Sequence, residues 1–219
     1  MKQNQIQQPY TIAEEIASSS CHALGIVLGI AALAVLTAFA SISGSPWKIV
    51  SCAVFASSMI ILYSTSTVYH ALTNVHAKQI LKKFDHIAIY YLIAGTYTPF
   101  LLITLRGSLG WTIFGIIWGL ALMGTVLKLV IGGKGTKLWS ILLYLTMGWL
   151  IVFASKSLFS ALNTTGLVFL VLGGLFYTLG VPFYMWKKKR FTHALWHAFV
   201  LAGTIMHFFA ILFGCVLPE

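Results

Sequence analysis

Seven long apolar runs, separated by short polar stretches, take up nearly all of this 219-residue chain. They are expected near Ala17–Ile42, Ile49–Leu72, Ile87–Leu105, Leu109–Ile131, Leu138–Ala154, Leu167–Trp186 and Thr192–Leu217. Each approaches the length of an α-helix that crosses a bilayer, about 20 residues. The fifth is the shortest. Thr11-Ile-Ala-Glu14 fits the Thr-x-x-Glu capping box, so the first helix is predicted to begin near Thr11. Pro99 and Pro182 are predicted to kink the third and sixth helices, which a bundle tolerates where neighbours re-satisfy the freed backbone groups. The pattern predicts an all-α integral membrane protein, a bundle of seven transmembrane helices. A polar segment, residues 1–10, leads into a single membrane domain, residues 11–219, with no soluble domain, low-complexity linker or internal repeat.

Composition supports this reading. The chain is 59% apolar and 8% charged, against about 25% charged residues in a soluble domain. Its net charge of +10 suggests topology rather than nucleic acid, because the basic residues sit in short loops and form no patch interleaved with aromatics. Eleven of them (Lys2, Lys78, Lys82, Lys83, Lys128, Lys134, Lys137 and Lys187 to Arg190) fall on the N-terminal side. Only Lys48, Arg106 and Lys156 fall on the other. Positive-inside then puts the N-terminus in the cytoplasm and the C-terminus outside. Met1 to Gln8 is polar and lacks the apolar core of a cleavable signal. Cys21, Cys52 and Cys215 are widely spaced and are read as small packing residues.

With that topology, the ionisable residues gather at one level. His70 lies near the cytoplasmic end of the second span, Asp85 opens the third, and His193 and His197 open the seventh. Histidines four apart on a helix share a face and can offer two imidazoles to one metal. Ionisable groups inside a membrane segment are functional candidates by default. Three imidazoles with one open position suit catalytic zinc, which brings the pKa of bound water to about 7. Asp85 would be general base and orienter, or else a direct fourth ligand; the resulting chemistry is attack on an ester or amide carbonyl at the headgroup level. The alternative is a structural zinc that ties helices together.

Ser66, four residues before His70, either orients the site or bonds its own helix backbone. His22 either binds the metal or supports one of its ligands, or else is an interfacial histidine hydrogen-bonded to a neighbour. His76, in the basic loop, and His86 are read as ordinary interfacial residues. His207 lies about 20 Å further along the last helix than His193, which excludes it from the same site and suggests a buried hydrogen bond between helices.

Ser66-Thr-Val-Tyr-His70, Phe84-Asp85-His-Ile-Ala-Ile-Tyr and His193-Ala-Leu-Trp-His197 resemble the SxxxH, Asp and HxxxH motifs of the progestin and adipoQ receptor (PAQR) family. Its bacterial branch, the hemolysin III family, is resembled more closely, also through Glu14-Glu15-Ile-Ala with His22, Ala94-Gly-Thr-Tyr-Thr-Pro99 and Gly173-Gly-Leu-Phe-Tyr-Thr-Leu-Gly180. The resemblance implies a seven-helix bundle, N-terminus inside, with zinc held by His70, His193 and His197 and Asp85 close to a zinc-bound water. The wider superfamily includes alkaline ceramidases, which favours hydrolysis of a membrane lipid amide or ester. The short polar N-terminus gives no ground for a hormone-binding role. Two other functions compete: a non-catalytic sensor or regulator of membrane-lipid state with structural zinc, and, from the branch's name alone, a cytolytic pore. Membrane lipids are the expected surroundings and substrate, in a bacterial plasma membrane; the sequence leaves oligomeric state open.

Overall fold

The computed structural model describes residues 10–131, 136–186 and 189–217. The expected cytoplasmic basic residues Lys2, Lys134, Lys187 and Lys188, the side chain of Lys137 and most of the polar N-terminal segment lie outside the described residues. The elements are α1 (Ile12–Ile42), α2 (Pro46–Ala71), α3 (Val75–Pro99), α4 (Ser108–Val130), α5 (Thr136–Trp149), α6 (Ser155–Ala161), α7 (Thr164–Met185) and α8 (Thr192–Ile211). A π-helical turn, Phe100–Thr104, extends α3; another, Leu212–Val216, extends α8; a 3-10 turn, Leu150–Ala154, joins α5 to α6. Seven of the resulting helical units are long and apolar enough to cross a membrane. Large apolar side chains such as Phe153 and Trp139 face outward, as lipid contact requires.

The predicted cap of α1 is present. Thr11 Oγ1 accepts from the Glu14 backbone N–H, and the Glu14 carboxylate accepts from Thr11 N–H at 2.9 Å. The third span differs from its prediction. It begins at Val75, capped by Asn74 accepting from Ala77 N–H at 3.0 Å, twelve residues before Ile87. Apolar periodicity finds only the lipid-embedded part of a helix; the polar first turns of α3 are held by tertiary contacts instead. Asp85 therefore lies well inside α3 rather than at its start, and His76 occupies an exposed first turn, not a loop.

Beyond Pro99 the backbone shifts to π spacing, with Leu105 N–H bonded to Phe100 C=O. Proline supplies no N–H to the α-helical ladder, and a wider turn accommodates the loss. The fifth span runs Leu138–Ala161, seven residues longer than expected. Its α-to-3-10 break would leave polar backbone groups unpaired in the bilayer, and Tyr97 of α3 meets them. The Tyr97 hydroxyl is 2.8 Å from Met147 C=O and 2.9 Å from Gly148 C=O, and it accepts from Ile151 N–H at 2.9 Å.

α3 is the most enclosed span, 72% buried over its apolar window against 17% for α7. α2 and α4 pack against it, with α5 making a smaller contact, while α1 packs on α2 and α8. α1 reaches α2 closely because Gly25 lies under the Tyr63 ring, where any Cβ would come within 2.6 Å of a ring carbon. The Tyr63 hydroxyl then donates to Thr204 Oγ1 on α8 at 2.7 Å, and Tyr177 Oη of α7 lies 2.7 Å from the same oxygen. This packing sets the C-terminal end of α2 beside the N-terminal end of α8.

Candidate metal centre

Four-residue spacing on α8 puts His193 and His197 one turn apart, and the end of α2 brings His70 to them. His197 Nε2 is 3.0 Å from His70 Nε2 and 3.1 Å from His193 Nε2. One ligand atom from each lies within 4.8 Å of the others. Around a tetrahedral zinc with Zn–N of about 2.0–2.1 Å, two nitrogens would be about 3.3–3.4 Å apart. The observed spacings are close to that edge.

Proton counting argues that this cluster suits a cation. A neutral imidazole has one N–H and one lone pair. His70 Nδ1 lies 2.6 Å from Glu15 Oε2, and a carboxylate only accepts, so Nδ1 carries the proton and Nε2 presents its lone pair. His197 Nε2 touches two other nitrogens and can bond only one of them by a single proton. His197 Nδ1 is buried without a partner. Three converging nitrogens that cannot satisfy one another are a fit for a metal ion.

The surroundings were only partly anticipated. Glu15 and Lys78 were not singled out as site residues, yet both are buried and paired: Lys78 Nζ is 2.7 Å from Glu15 Oε1 and donates to Leu72 C=O at 3.2 Å. The signal was present as a pair of acids in the first turn of a membrane helix, but the capping box explains only Glu14. Glu14 does more than cap, since its Oε1 accepts from Phe191 N–H at 2.8 Å, immediately before α8. Tyr10 stacks on His193 with ring centroids 4.5 Å apart; burial pushes its phenol pKa up.

His22 is not among the three grouped histidines. Its ring lies edge-on to His197 at 3.9 Å, buried, and neither nitrogen has a hydrogen-bond partner among the described residues. The interfacial, hydrogen-bonded alternative therefore fails: ten residues into α1, His22 is inside the bundle. Ser66 is fully buried beside Asp85, but its Oγ meets hydrogen-bond geometry with no group, so it does not bond back to its own helix.

Asp85, His193 and His197 open onto one cavity of about 280 Å³, walled mainly by apolar side chains of α3, α5, α7 and α8. His86 also lines it, with its backbone C=O accepting from the Tyr144 hydroxyl at 2.7 Å, so it is not a plain interfacial residue. His207 is outside the cluster, as its distance required, but lines the same cavity, with its ring against Gly173 of α7. A separate cleft of about 310 Å³ is lined by Glu15, Ser19, Ser20, His70 and Lys78, among others.

These features define a multi-pass, seven-helix membrane protein with a three-histidine cluster, two of its members buried and His193 half-buried, able to hold a metal ion. The profile of the family described as "Haemolysin-III related" matches residues 10–208, and the chain belongs to that family. A "Hemolysin-3 homolog" from Bacillus subtilis (strain 168) is 49% identical over 207 residues, covering 94% of this chain and 97% of the relative. "Hemolysin-3" from Bacillus cereus is 45% identical, covering 94% of each. The human "Monocyte to macrophage differentiation factor" is 31% identical over 210 residues, covering 92% of this chain and 84% of its own length.

Proposed function

We propose that the protein is a zinc-dependent hydrolase of a bacterial plasma membrane, acting on a lipid amide or ester, with His70, His193 and His197 as zinc ligands. The observation that carries this reading is the convergence of the Nε2 atoms of His70, His193 and His197, the last two of which also line a largely apolar cavity. Such a cavity suits acyl chains, with the polar end at the headgroup level. The excess of basic residues at that end supports a site at the cytoplasmic face, with the N-terminus inside and the C-terminus outside.

Zinc, when bound, supplies a Lewis acid that polarises a carbonyl and makes water nucleophilic near neutral pH. Asp85 takes the proton of the attacking water and passes it to the leaving amine or alkoxide as the carbonyl carbon–heteroatom bond breaks. Ser66 lies buried alongside that carboxylate. The apolar cavity wall excludes bulk water.

Metal analysis of the purified protein, with mass spectrometry of a lipid panel before and after incubation, tests the reading. One zinc per chain and a lipid cleaved by the wild type but not by Asp85→Asn is the expected result. Zinc retained with no turnover of any lipid would instead favour a regulator with a structural metal. Dye leakage from liposomes holding the pure protein would favour a pore.

A further inference from the structure

We propose that the two adjacent acids in the first turn of α1, Glu14 and Glu15, form a clasp that positions the metal ligands of α2 and α8 against each other, with Glu15 setting the ring of His70. The proposal rests on the zinc reading above, and it assigns the N-terminal helix a part in the site although α1 supplies none of the three ligands.

Glu15 is the first arm. Its Oε2 lies 2.6 Å from His70 Nδ1, which fixes both the rotation of the ring and the tautomer with Nε2 free for metal. Its Oε1 is held by Lys78 Nζ at 2.7 Å, and Lys78 is itself tied to Leu72 C=O at 3.2 Å and lies over the Tyr69 ring. The carboxylate is thus gripped from α2 and α3 at once. Glu15, Lys78 and His70 also line one cleft together with Ser19 and Ser20, so the contact between Glu15 and His70 borders that cleft.

Glu14 is the second arm. α8 has no side-chain cap of its own: its N-cap residue is Phe191, held at φ 61°, a left-handed conformation that is uncommon outside glycine. Glu14 Oε1 accepts from the Phe191 N–H at 2.8 Å, which bonds an otherwise open backbone donor and places negative charge at the positive end of the α8 dipole. Thr11 holds the other oxygen through its N–H and hydroxyl at 2.9 and 2.8 Å. His193 is two residues beyond Phe191. Successive residues of one helix turn therefore fix the α2 ligand and the start of the α8 pair.

The test uses the full chain, purified, stripped with chelator, and titrated with zinc against a competing chelator, as wild type, Glu15→Ala and Glu15→Gln. Cobalt absorption and the thermal stability of the stripped protein are measured on the same samples. Removing an outer partner of a metal-bound histidine weakens affinity by about 10–100-fold, and that loss is expected for Glu15→Ala, with an altered cobalt spectrum. Glu15→Gln keeps an oxygen that accepts from Nδ1–H, so it should recover most of the affinity and the wild-type spectrum. Wild-type affinity and spectrum in Glu15→Ala would overturn the clasp. So would equal losses of affinity in both variants that track equal losses of stability in the stripped protein, which is the signature of a plain structural ion pair. A wild type that binds neither zinc nor cobalt would overturn the metal reading and the clasp with it. That failure shows in a different sample from the first two.

Discussion

His197 Nε2 lies 3.0 Å from His70 Nε2, joining residues 127 positions apart in the chain. The two rings come from opposite chain directions, the end of α2 and the beginning of α8, so their contact depends on the packing of the whole bundle. With His193 they form a set in which no single residue can be replaced by a neighbour among the described residues. Replacing any one of His70, His193 or His197 with Ala should therefore abolish stoichiometric metal binding, measured as metal per chain after purification.

Asp85 faces the cavity beside the cluster but is not among the grouped ligands. Asp85→Asn should keep the metal and lower the rate of lipid hydrolysis by about 10²–10⁴-fold, the range for loss of a positioned proton acceptor. Loss of metal in this variant would show that the carboxylate is a ligand instead.

Glu15 and Lys78 form an ion pair with both side chains 9% exposed. Removing one member of a buried pair typically destabilises by about 3–5 kcal/mol, because the other charge is left uncompensated. Lys78→Met should show a loss of that order in reversible unfolding of the stripped protein. Adding Glu15→Gln should restore part of it, so a double-mutant cycle is expected to be non-additive.

Tyr97→Phe removes a side-chain oxygen that meets the backbone of the fifth span at its 3-10 break. Leaving those groups unbonded should cost about 1–3 kcal/mol. The loss should show as lower stability with unchanged metal content, because Tyr97 is not a member of the ligand group and its hydroxyl bonds α5 and its extension.

His22→Phe is expected to leave metal content unchanged, since neither nitrogen of His22 belongs to the ligand group or bonds any other described residue. A fall in zinc per chain in this variant would make His22 a fourth ligand.

Much was legible before any coordinates. Membrane helices show themselves through uninterrupted apolar length, because unpaired backbone cannot face lipid. The Thr11–Glu14 cap is a local motif, and the His193–His197 face follows from helical geometry alone. The common depth of His70, Asp85 and the α8 pair followed from counting spans. The early start of α3 and the extension of the fifth span were not legible, since polar contacts from other helices stabilise them.

The sequence by itself determined the helical spans, their number and the residues able to bind metal, since each depends on periodicity or on composition within one segment. Only the tertiary structure decided that His70 meets His197, that Glu15 and Lys78 stand behind the site, and that His22 is buried with no partner. Those outcomes depend on helix rotation and crossing, which are fixed by packing between distant segments, such as Gly25 under Tyr63. No spacing within a single helix encodes them.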